Sequence, residues 1–120
     1  MYDSILNTIK PMVNVSVSDN SFDTELIADI NTALFRLNKL GVGPENGFMI
    51  NDENASWYDF MLSDTNLESI KTYVFIKTKL LFDPPPPSAI AIYEKQAQFI
   101  LEVELFDICL ILFIDMVSCY

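Results

Sequence analysis

The side chains best suited to making bonds in this chain are two thiols, Cys109 and Cys119, and three clustered acids, Asp52, Glu53 and Asp59. Thiolates act as nucleophiles or bind soft metals, and both uses commonly enlist histidine as base or co-ligand. The chain has no histidine and no other cysteine, so a Cys-His nucleophile and a Cys/His zinc site are both excluded. Ten positions along a helix span about 15 Å, far beyond the Cα separation a disulfide tolerates. The thiols therefore read as reduced and buried. The three acids could serve only a hard cation, yet their spacing matches no calcium loop, and acids beside a helix start ordinarily complement its dipole. Neither a glycine-rich phosphate loop nor a Gly-x-Ser-x-Gly elbow is present. No catalytic residue, no cofactor and no metal is expected. What remains is work by contact with other proteins.

Charge narrows the partners. Seven Lys plus Arg against seventeen Asp plus Glu give a formal net charge of -10, which repels phosphate backbones and anionic lipid head groups. Hydrophobic residues are 51% and charged residues 20% of the 120, a balance that folds as one domain with one core. The N-terminus lacks the basic, apolar and small-residue order of a secretory signal, which predicts synthesis in the cytosol. The one membrane-like segment, Phe99 to Val117, holds Glu102, Glu104, Asp107 and Asp115, and each costs about 2.5 kcal/mol or more near a bilayer centre.

The elements that would position a contact surface are helices. Ile5, Leu6 and Ile9 begin a short one that Pro11 should stop. Val13, Val15 and Val17 alternate with polar residues but have no partner strand, so they form an extended connector. From Asp23 to Leu40, the residues Leu26, Ile27, Ile30, Ala33, Leu34, Leu37 and Leu40 share one helical face. Asp23 is placed to cap it, Phe22 and Ile27 to staple it, and Gly41 to end it. Phe35 points away from that face and is a candidate contact residue. All three glycines and Pro44 mark a loop, anchored by Phe48, Met49 and Ile50. A short helix should start near Asn54 and carry Trp57, Tyr58, Phe60, Met61 and Leu62.

Thr65 with Glu68 matches a capping box for a helix running to Phe82. Leu67, Ile70, Val74 and Leu81 define its apolar face, and Lys77 lands inside that arc. Its stem can lie on the core with the ammonium in water, or it can pair with a carboxylate, including one on another chain. Asp83-Pro84-Pro85-Pro86-Pro87 makes a rigid elbow, after which Ser88 caps a last helix with Ile92, Phe99, Val103, Phe106 and Leu110 on one face. Past Phe106 the sequence is apolar all round, including Ile108, Ile111, Leu112, Phe113 and Ile114, which in so small a protein calls for another chain or a membrane. Phe35, Lys77, Phe106, Leu110 and Phe113 are the candidate protein contacts. The fold class is all-α: a bundle of four to five helices, two long ones packed antiparallel, plus a C-terminal helix after the proline elbow.

The order of these features, with Leu40-Gly41-Val42, Trp57-Tyr58-Asp59-Phe60 and the run Tyr73-x-x-x-Lys77-x-x-Leu80-x-Phe82-Asp83-Pro84-Pro85, resembles the head-tail connector, or adaptor, family of tailed bacteriophages, in its gp6-like group. The resemblance covers residues 1 to 104 and implies a non-enzymatic virion protein, made in the host cytoplasm. Its copies would form a homo-oligomeric, dodecameric ring at the head-tail interface, touching the portal protein and a tail-completion or stopper protein, with DNA only passing through the channel. An acidic inner wall would let DNA slide by denying it binding sites. The tail, 105 to 120, departs from the family pattern and is either a contact surface or an altered end, as in a prophage remnant. The alternative from another class is a small tail-anchored membrane protein using Phe99 to Val117.

Overall fold

The computed structural model describes residues 4–61 and 67–104, and these build an all-α bundle with no strand among them. Helix α1, Ile5–Met12, starts at Ser4, whose hydroxyl accepts the Asn7 amide at 3.2 Å. Pro11 is tolerated in its last turn, and the helix ends one residue later at Met12. The chain then turns sharply through Asn14 at φ 66°. The Val15 amide folds back onto the Lys10 carbonyl at 2.8 Å, so the alternating valines form a compact turn rather than an extended connector. Val13 and Val15 enter the core while Val17 stays exposed.

Helix α2, Asp23–Lys39, buries Leu26, Ile30, Ala33, Leu34 and Leu37, the stripe its periodicity predicts. Its start differs from expectation. The capping position is Phe22, with no side-chain cap, because Asp23 turns to Lys10 of α1 and holds its ammonium at 2.6 Å. Its end follows expectation closely. The Gly41 amide donates to the Asn38 carbonyl and the Val42 amide to Leu37, with Gly41 at φ 95°, the paired closure that a left-handed glycine makes possible.

The following loop is held by two α2 asparagines. Asn31 donates to the Ile50 carbonyl at 3.0 Å and accepts its amide at 2.7 Å, and Asn38 donates to the Pro44 carbonyl at 2.6 Å. Ile50 is buried and the Phe48 ring tilts on Phe60 at 5.3 Å. Met49, expected as the third anchor, is exposed, since the Asn31 clamp fixes the backbone so that successive side chains alternate sides. Helix α3 is a single turn, Trp57–Phe60, shorter than expected, and begins at Ser56 with a full capping box to Asp59. Trp57 ties it to α1, donating its indole N–H to Thr8 at 3.1 Å.

Helix α4, Leu67–Phe82, packs chiefly on α2. Phe22 at the start of α2 meets Phe82 at the end of α4, rings 5.5 Å apart, so the two long helices run antiparallel. Thr65, the expected cap, lies outside the described residues. Helix α5, Pro87–Phe99, starts from Pro86 with Pro87 in its first turn, not from Ser88; a proline there gives up an amide that has no helical partner anyway. A π-helical turn, Ile100–Glu104, continues it.

Candidate contact surface

The acids that might have gathered a cation have local tasks instead. The Asp59 carboxylate accepts the Ser56 amide at 3.0 Å, and that of Asp52 accepts the Asn54 amide at 2.8 Å. Among the described residues no three His, Cys, Asp or Glu side chains converge. Cys109 and Cys119 lie outside the described residues.

Of the expected contact residues, Phe35 and Lys77 can be placed, whereas Phe106, Leu110 and Phe113 fall outside the described residues. Phe35 is 61% exposed, with the Lys39 ammonium 5.2 Å from its ring centre. It borders a cleft of about 370 Å³ shared with Asn31, Gly47, Phe48 and Met49. Lys77 lays its ammonium 5.9 Å from the centre of the Tyr73 ring, one helical turn back. It lines a second cleft of about 410 Å³ with Thr32 and Arg36 of α2, Leu80 and Leu81 of α4, and Glu94 of α5. Lys77 is half-buried and makes no ion pair among the described residues. Burial pushes the Tyr73 hydroxyl above its ordinary value and the Arg36 charge partly offsets this.

The Tyr73 to Pro85 run is thereby a brace. Tyr73 is buried, Lys77 caps its face, Phe82 closes on Phe22, Lys79 donates to Asp83 at 3.3 Å, and Pro85 is buried at the elbow. Its residues fix the corner from which α5 leaves.

Helix α5 corrects the expectation drawn from its sequence. The face carrying Ile92 and Phe99 is turned outward, with Ile92 66% and Phe99 53% exposed. The helix is fastened instead by Ala97, with Tyr93 partly buried, and by Ile100 and Leu101 beyond it. Those four fall at i, i+4, i+7 and i+8, a stripe one position round from the predicted one. Met49, Leu81, Ile92 and Phe99 therefore join Phe35 as exposed large apolar side chains. Leu81 was legible only as core, and Met49 only as anchor. The signal that identifies them as surface is their neighbours' burial, which periodicity alone does not contain.

No helix among the described residues is long and apolar enough to cross a membrane. A family model described as phage connector protein matches residues 5–116, running past residue 104 into the apolar tail. No curated protein and no solved structure matches the chain.

Proposed function

The chain belongs to the phage connector protein family, a structural and not an enzymatic family, and we propose that its copies join head to tail as a ring around the DNA channel. The observation that carries this reading is the family match over residues 5–116. The Tyr73 to Pro85 motif supports the gp6-like group within it. On this reading the protein is a virion component at the head-tail interface, assembled from the host cytoplasm. Its partners are further copies of itself, the portal protein and a tail-completion or stopper protein.

Exposed apolar side chains support it physically. Phe35, Met49, Leu81, Ile92 and Phe99 lie on α2, the following loop, α4 and α5, and contact with neighbouring subunits would take them from water. Phe35 and Lys77, with Phe106, Leu110 and Phe113 of the tail, are the residues we assign to subunit or portal contact. A net charge of -10 suits a channel component that DNA must slide past rather than stick to. The tail-anchored alternative is not favoured.

The test is solution mass by light scattering over a concentration series, with and without detergent, alone and mixed with the portal protein of the same phage. The expected result is a mass that climbs to one discrete high-order species. A chain that stays monomeric throughout, portal included, refutes the ring, and solubility only in detergent revives the membrane alternative.

A further inference from the structure

The two clefts lie on different flanks of α2, one bordered by Asn31 and Phe35, the other by Thr32 and Arg36. At 3.6 residues per turn these pairs point about 100° apart. Their chemistry is opposite. The first flank carries the loop that Asn31 and Asn38 hold down, whose Glu45, Met49, Asp52 and Glu53 are exposed; the cation on this flank is Lys39, over the Phe35 ring, so the loop's acids outnumber it three to one. These three acids have no ion-pair partner among the described residues.

The second flank is cationic in a chain that is short of cations. Of the chain's seven, Lys10, Lys71 and Lys79 are paired with Asp23, Glu68 and Asp83, Lys39 lies over Phe35 on the first flank and Lys95 is exposed on α5. Arg36 and Lys77 share the cleft with no carboxylate partner among the described residues, and they outnumber its one acid, Glu94, two to one. The exposed Leu81 and the half-buried Leu80 supply the apolar floor.

We infer that the Arg36–Lys77 cleft is the socket for the acidic loop flank of a second copy, with Glu45, Asp52 and Glu53 of one chain facing Arg36 and Lys77 of the next. Phe35 and Met49 then cover Leu80 and Leu81. Charge complementarity selects this occupant: each flank repels its own kind and attracts the other. Because the flanks are different patches of one molecule, the contact is head-to-tail, which propagates to a ring when its rotation closes. The inference rests on the ring reading above and adds which surface meets which.

Two charge-reversed proteins test it, R36E/K77E and D52K/E53K, each checked for wild-type helix content by circular dichroism. In either alone, like charges meet at every contact, so self-association is expected to weaken more than about tenfold relative to wild type. Mixed in equal amounts, the reversed loop of one fits the reversed cleft of the other, and assembly should return with the two alternating. Light scattering on the three samples reads all of this. If wild type assembles but the mixture does not recover, or if each variant alone assembles as wild type does, the pairing is overturned and the connector reading stands. If wild type never assembles, even with the portal protein added, the ring reading fails and this interface fails with it.

Discussion

Replacing Lys10 by methionine should destabilise the fold measurably by stranding one buried charge partner. The ammonium of Lys10 is 1% exposed and lies 2.6 Å from an Asp23 oxygen whose side chain is 24% exposed. It also donates to the Val17 carbonyl at 3.2 Å and to Asn20 at 3.3 Å. The Asp23 contact is a close approach of charges rather than an aligned hydrogen bond, since that oxygen has no hydrogen-bond partner. Its worth is therefore mainly Coulombic. Exposed ion pairs contribute at most about 1 kcal/mol, whereas removing one partner of a fully buried pair costs about 3–5 kcal/mol. Lys10 sits at the buried limit and Asp23 well inside the partly exposed range, so the loss should be about 2–3 kcal/mol. Methionine keeps the apolar stem, and Val17 and Asn20 are exposed enough to find water, so neither packing nor those acceptors add much. For a chain of this size that is a fall in melting temperature of about 10 °C. The single, buried Trp57, bonded to Thr8 of the same helix, gives a fluorescence signal for urea unfolding. Neutralising the stranded acid as well, in K10M/D23N, should recover part of the loss. A K10M protein within about 0.5 kcal/mol of wild type, or a double variant less stable than K10M, would refute the reasoning.

Two further outcomes follow from local geometry. Gly43 and Gly47 both have φ near 90°, so alanine at either should cost about 1–2 kcal/mol in backbone strain. At Gly43 the added Cβ would sit 2.5 Å from Phe60 Cε1, whereas at Gly47 the nearest atom is Asn38 Oδ1 at 3.9 Å; the Gly43 variant should lose about 1–3 kcal/mol more, read as the difference between their urea midpoints. Burial, and then Glu25 one turn away, hold the Asp29 carboxyl above its ordinary value of 3.8. The folded state thus binds that proton more tightly than the unfolded chain, so the charged form costs stability as pH rises through the folded value. D29N should be more stable than wild type at neutral pH and indistinguishable from it below 3.8, and a constant difference across pH would show that the carboxyl's charge is not the cause.

The parts of the fold that could be read from sequence are those where one local pattern has one solution. The α2 stripe from Leu26 to Leu37 and its closure at Gly41 are of this kind: amphipathic spacing demands one buried face, and only a residue free at positive φ completes the turn. The misreadings arise where a residue had two partners to choose between. Asp23 could satisfy its own helix start or a cation thirteen positions earlier, and the buried Lys10 ammonium outweighs a cap that water can replace. Ser88 was a legitimate cap, but Pro87 enters the first turn without losing a bond.

Helix α5 shows why the exposed apolar surface was only half legible. A periodic apolar face says that something must cover it, not that the covering belongs to the same chain. Ile92 and Phe99 lie on such a face, and α5 turns it outward because the small Ala97 lets the helix seat closely on α4 by the adjoining stripe. The same logic separates Phe35 from Leu81. Phe35 breaks its helix's periodicity and so announces itself as surface, while Leu81 keeps to the periodicity of α4 yet stands exposed because among the described residues no neighbouring element reaches across the Arg36–Lys77 cleft to cover it. Under the proposed ring, such side chains would be core shared with a neighbouring copy, and core of that kind looks like ordinary core until the chain's own packing is known.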